Sequence, residues 1–130
     1  MNFYEMPQLG HIAESEMKEI LMLQERLKLM DSQEKCKSSF MEYIRYIWPG
    51  FIEGDHHRII AEKLTEVAQG KCKRLIVNMP PRHTKSEFAS VYFPSWIMGL
   101  KPEMKIMQTT HTADLSINFG RKVRNLMDTP

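Results

Sequence analysis

The segment Leu75-Ile76-Val77-Asn78-Met79-Pro80-Pro81-Arg82-His83-Thr84-Lys85-Ser86 constrains this chain more than any other part of it. A short apolar run rich in β-branched residues enters a turn that two prolines keep out of helix, and Lys85-Ser86 then opens a helical pattern. Strand, turn, then a helix start carrying a lysine and a hydroxyl is the layout of a phosphate-binding loop. The usual pattern, G-x-x-x-x-G-K-[ST], fails at both glycines, because Met79 and Thr84 fill those positions. The physics around it survives. Amides at a helix N-terminus lack intrahelical partners and can point at an anion, and the helix dipole adds to the attraction. Lys85 can bridge the β- and γ-phosphates and the Ser86 hydroxyl can ligate Mg²⁺. Pro80 and Pro81 have no N–H to give, so the donors are the amides from Arg82 to Ser86. Thr84 is β-branched, which predicts a negative φ there. Taken alone, these few residues fit an ordinary strand–loop–helix connection with a surface Lys-Ser better than a nucleotide site.

The wider sequence reverses that balance. Pro80-Pro81-Arg82-His83-Thr84-Lys85-Ser86-Glu87 closely resembles the deviant Walker A motif of the large terminase subunit of tailed double-stranded DNA phages, whose common form is P-P-R-H-G-K-S. Upstream, Phe40-Met41-Glu42-Tyr43-Ile44, Trp48-Pro49-Gly50-Phe51 and His56-His57-Arg58 resemble that family's approach to its ATPase core. Downstream, Tyr92-Phe93-Pro94-Ser95-Trp96, Gly99, Pro102, Thr110-His111-Thr112 and Phe119-Gly120-Arg121-Lys122-Val123-Arg124 resemble its next strand and helix. The likeness covers about residues 36–130. It implies an α/β fold: N-terminal helices over 1–54, then over 55–130 the first βαβα units of a P-loop (ASCE/RecA-like) ATPase core. It also implies an ATP-driven motor that packages viral double-stranded DNA into procapsids, with ATP and Mg²⁺ as cofactors. The implied partners are DNA, a portal protein, a small terminase subunit and further copies in a homo-oligomeric ring. The implied location is the cytoplasm of an infected bacterial host, transiently at the procapsid portal.

A complete P-loop core needs more βα units than 130 residues hold, and only Leu75–Met79 and Lys105–Thr109 read as strands. No acidic pair follows an apolar strand at the Walker B position, and no carboxylate cluster suits two-metal nuclease chemistry. The expectation is an N-terminal piece of a longer protein, inactive as an ATPase by itself, whose intact form carries a C-terminal endonuclease. A helicase or another P-loop ATPase is the competing enzyme reading, and a non-catalytic truncated product is the competing reading of another class. A formal net charge of +2 is too small to argue nucleic-acid binding from bulk electrostatics. No apolar run reaches membrane-spanning length, so no membrane partner is expected. Cys36 and Cys72 stand apart without metal-ligand spacing, which predicts reduced thiols.

Along the chain, residues 1–12 read as a flexible lead-in. A helix from about Ala13 carries Ile20, Leu23, Leu27 and Met30 at spacings of three and four, expected to pack on the core or, in the sharper reading, on a neighbouring subunit. Asp31, with Glu34 three residues on, predicts a fresh helix start that places Cys36, Phe40, Tyr43, Ile44 and Ile47 on one face until Pro49-Gly50. A third helix runs from Asp55 to Gly70 with Ile60, Leu64, Val67 and Ala68 inward. Lys85–Phe93 is the helix behind the loop, kinked or restarted at Pro94. Thr112 caps a helix over Ala113–Met127.

The expected nucleotide-binding set is Pro81, Arg82, His83, Thr84, Lys85 and Ser86. Within it Lys85 is the charge on the transferred phosphate, and Ser86 is the Mg²⁺ ligand. Arg82 is the in-loop guanidinium that reaches the γ-phosphate, with a salt bridge to Glu87 as its competing role. For His83 the backbone amide is expected to matter while the side chain faces solvent. His56 and His57, adjacent on a helix, cannot form an i, i+4 zinc pair, so one is expected at the helix start and the other near a base or ribose pocket. Thr110, His111 and Thr112 stand where α/β proteins place ligand contacts, with turn and capping duty as the simpler role. Arg121, Lys122 and Arg124 form a basic helix end that suits the negative pole of the dipole.

Overall fold

The structure, a computed structural model, describes residues 14–128. They fall into two units, one ending at Glu34 and one beginning at Lys35. The expected lead-in over residues 1–12 lies outside the described residues.

The first unit is carried by α1 (Glu14–Ser38), whose acidic first turn and basic last turn both complement the helix dipole. None of its residues is buried, and Ile20, Leu23, Leu27 and Met30 are all exposed. The fresh start expected at Asp31 does not occur, because α1 runs through it. Asp, Ser and Gln are tolerated inside a helix, and a cap residue stops one only where the backbone leaves the helical region. That happens at Ser39, with φ −142° and ψ 129°. The Ser39 N–H closes α1 on the Lys35 carbonyl, and the Ser39 carbonyl accepts from the Tyr43 N–H to open the next helix.

The second unit packs short helices around aromatic rings. In α2 (Phe40–Ile47) Phe40, Met41 and Ile44 are buried, and in α3 (Asp55–Ala68) Ile60, Ala61 and Leu64 are buried. Gly50 and Gly70 follow these helices at φ +83° and +77°, where a side chain would be strained. After the loop come α4 (Lys85–Glu87), a π-helical turn (Phe88–Tyr92) and α5 (Phe93–Leu100). The backbone stays right-handed helical at both junctions, so Lys85 to Leu100 is one continuous helix with a wide turn in it. The widening has a sequence cause in Pro94, which lacks an N–H and whose ring crowds the carbonyl four residues back. The π turn relieves that crowding, and Pro94 then falls in the first turn of α5. Phe40 anchors the core, with ring centroids 5.8 Å from Phe88, 5.7 Å from Phe93 and 5.3 Å from Trp96. Three part-buried hydrogen bonds fix the packing. Tyr43 O–H donates to Ser95 Oγ at 2.7 Å, which donates to the Tyr92 carbonyl, and Trp96 Nε1–H donates to the Cys36 carbonyl at 2.7 Å. The last helix, α6 (Ala113–Met127), docks Phe119 and Val123 against Val91. As expected, Thr112 caps it, accepting from the Leu115 N–H at 3.4 Å.

The expected α/β architecture is not what these residues form. Among the described residues there is no β-strand, and all regular structure is helical. The alternation that suggested a strand is nonetheless present: Leu75, Val77 and Met79 pack on the core, while Ile76 is 87% exposed. A strand also needs a neighbour to share its ladder of hydrogen bonds. Neither 75–79 nor 105–109 has a backbone partner among the described residues, so neither forms a strand.

Candidate phosphate-binding loop

The core residues Leu75, Val77 and Met79 deliver the chain to Pro80-Pro81, both exposed, and the loop then turns sharply. Arg82 (φ +66°) and Thr84 (φ +55°) are the non-glycine residues at positive φ among those described, and both lie in this loop. The negative φ expected at Thr84 is therefore corrected: with ψ 8° it stands in the left-handed region that a glycine would favour. Local preference argues against this conformation by about 1–2 kcal/mol, so surrounding contacts must impose it.

Thr84 is contacted from α3. His57, 7% exposed, places Nε2 2.7 Å from Thr84 Oγ1. Its other ring nitrogen, Nδ1, accepts from the Gly54 N–H at 2.9 Å, while the His57 N–H donates to the Gly54 carbonyl. These bonds fix the tautomer. Nδ1 accepts, so the proton of the neutral ring is on Nε2 and is donated to Thr84 Oγ1. The Thr84 hydroxyl then donates to the His83 carbonyl at 2.7 Å. Burial, and secondarily the neighbouring His56, hold the His57 pKa below its usual value, with Glu53 opposing. The ring lies against Phe51 and Phe88, with centroids 4.8 Å and 5.3 Å away. One of the two histidines was expected at a helix start. His57 takes that place and also reaches the loop, a contact that no local signal announces.

The first intrahelical bond of the helix is Phe88 N–H to the Thr84 carbonyl at 3.0 Å. The amides of Lys85, Ser86 and Glu87 are left without intrahelical partners, as at any helix start. Thr84 in the left-handed region followed by right-handed Lys85 is the backbone sequence that turns successive N–H groups toward one point, a concavity suited to an anion. Lys85 is half-buried and Ser86 is exposed at this end. Arg82 is exposed and does not pair with Glu87, whose carboxylate is taken by Lys122 of α6 at 2.5 Å. His83 is exposed and folds back, its Nδ1–H donating to the Pro81 carbonyl at 3.0 Å.

The six expected residues thus form one contiguous turn, with the positive charges of Arg82 and Lys85 at the start of the helix. Among the described residues no group of three or more His, Cys, Asp or Glu could hold a metal ion. Were Mg²⁺ to bind here with a phosphate ligand, the Ser86 hydroxyl at the helix start would be the protein group to hold it, with phosphate oxygens and water completing the shell. His56 lines a cleft of about 250 Å³ with Ile59, Lys63 and the segment Leu75–Met79, and its ring is 5.6 Å from that of His83. Thr110 Oγ1 donates to the Thr112 carbonyl at 2.7 Å, so Thr110 and Thr112 serve the turn and cap before α6. No helix among the described residues is long and apolar enough to cross a membrane. No protein-family model matches the chain, and comparison with curated proteins and with solved structures gives no match either.

Proposed function

We propose that residues 81–86 bind the phosphates of MgATP, and that the chain is the N-terminal part of a DNA-packaging ATPase like the large terminase subunit of tailed phages. In this reading Lys85 neutralises the β- and γ-phosphates, Ser86 ligates Mg²⁺, and Arg82 reaches the γ-phosphate to stabilise charge during transfer. The amides from Arg82 to Ser86 supply the remaining donors. His56 borders the cleft that the base or ribose would enter. Double-stranded DNA, a portal protein, a small subunit and further copies in a ring are the partners that the terminase likeness brings with it.

The observation that carries the proposal is the left-handed backbone at Thr84. A threonine held at φ +55° reproduces the turn that glycine provides in the standard pattern, immediately before a lysine and a hydroxyl at a helix start. Strain of this kind persists where it serves a site. Bound ATP supplies the transferable phosphoryl group; the chain's residues orient it and offset its charge. Calorimetric titration of MgATP into the 130-residue chain tests the reading. Binding is expected, weakened at least ~10-fold by Lys85→Ala, as loss of a charged hydrogen bond implies, with negligible turnover by this chain alone. Binding that ignores Lys85→Ala refutes the site, and robust hydrolysis refutes the expectation that the chain is catalytically incomplete.

A further inference from the structure

His57 stands outside the loop, yet among the described residues it is the one buried side chain from another helix that hydrogen-bonds the loop, and it does so at Thr84. We infer that His57 is a positioning residue, a neutral clamp that holds Thr84 in the left-handed conformation on which the phosphate cradle depends. The inference rests on the proposed phosphate site for its functional consequence. Its structural part stands independently.

Three features lead to it. First, the strained residue and its support are matched one to one. Thr84 is β-branched and at φ +55°, and its hydroxyl is the atom that His57 Nε2 engages. Second, His57 is itself held, by a hydrogen bond and by ring packing. Gly54 N–H fixes Nδ1, the ring packs against both Phe51 and Phe88, and the fixed tautomer directs Nε2–H toward the loop. A donor on a locked ring positions its partner; a donor on a mobile chain would follow it. Third, the clamp couples elements distant in sequence. It ties the start of α3 to the start of α4, 27 residues away, so the loop's shape is set by a helix rather than by its own residues. Glycine at 84 would adopt the same conformation unaided, which makes the histidine's work specific to threonine.

That specificity supplies the test. His57→Asn retains an oxygen able to accept from the Gly54 N–H but is too short to reach Thr84. His57→Gln carries an amide N–H at about the distance of Nε2. Thr84→Gly removes the need for a clamp. MgATP affinity of the intact chain is expected to fall about 3- to 10-fold in His57→Asn, the effect of one lost hydrogen bond, and to recover substantially in His57→Gln. In the Thr84→Gly background His57→Asn is expected to change affinity by less than about twofold, a coupling that two independent sites would not show. Equal losses in both backgrounds, or wild-type affinity in His57→Asn, overturn the clamp. Trypsin cleavage after Arg82 without nucleotide provides a readout that does not depend on ATP. Cleavage is expected to speed up in His57→Asn but not in the doubly substituted chain, and an unchanged rate in His57→Asn overturns the clamp as well. If wild-type chain fails to bind MgATP, the phosphate reading falls, and the tryptic rates alone decide whether His57 shapes the loop.

Discussion

Replacing Thr84 by valine and by glycine separates backbone strain from hydrogen bonding. Both variants delete the hydroxyl, so both lose the bond from His57 and the bond to the His83 carbonyl. Those losses cancel when the variants are compared with each other. What remains is the cost of holding a β-branched residue at φ +55°, about 1–2 kcal/mol, against the extra chain freedom that glycine surrenders on folding, about 0.5–1 kcal/mol. The glycine variant is therefore expected to be more stable than the valine variant by roughly 0–1.5 kcal/mol. Were φ negative at this position, the strain would vanish and glycine would be the less stable by its own entropy cost. The sign alone decides. Urea unfolding followed by tryptophan fluorescence, from Trp48 and from Trp96, buried at 4% exposure, measures it. With a slope of about 1–3 kcal/mol per molar, a 1 kcal/mol difference moves the midpoint by ~0.3–1 M. A valine midpoint above the glycine midpoint would refute the left-handed assignment and the reasoning built on it.

Two further outcomes follow from the same contacts. Phe40→Ala empties the place where four aromatic rings meet, and is expected to cost about 3–5 kcal/mol, visible as a collapsed or missing thermal transition by circular dichroism; a loss under ~1 kcal/mol would contradict the core described. Acidification is expected to destabilise the second unit through His57. Its pKa is depressed when folded, so the unfolded chain binds the proton more readily, and the stabilisation present above the ordinary histidine pKa of about 6.5 is lost as pH falls through and below it. Protonation would set a second N–H against that of Gly54. His57→Asn should flatten this part of the stability–pH curve, and an unaltered slope would assign it to other groups.

Much of the helical frame was legible in the sequence. Thr112 before an amphipathic run marked the start of α6, Gly70 marked the end of α3, and the spacing of Phe40 and Ile44 marked a buried face. The misreadings share one cause, which is that a residue's local preference does not contain its partner. Leu75, Val77 and Met79 alternate as a strand should, but a ladder belongs to two segments and no neighbour pairs with this one among the described residues. Asp31 is a good cap residue, yet a cap acts only where the helix ends, and the chain ends α1 at Ser39 instead. Thr84 prefers negative φ, and a histidine 27 residues earlier overrides that preference. At the candidate site the order of residues was legible and the shape was not. Lys85 and Ser86 announced a helix start, whereas the left-handed turn before them is visible only once α3 is in place.

In the proposed site the turn from Arg82 to Ser86 is a cradle for phosphate. Amide NMR of the ¹⁵N-labelled chain titrated with MgATP tests it most directly, since the bound phosphates must contact backbone N–H groups. Saturable shifts concentrated at residues 82–87 are expected, with a smaller response at His57, all lost in Lys85→Ala. Shifts spread over exposed lysines without saturation, or a saturable response that leaves residues 82–87 unmoved, would contradict it.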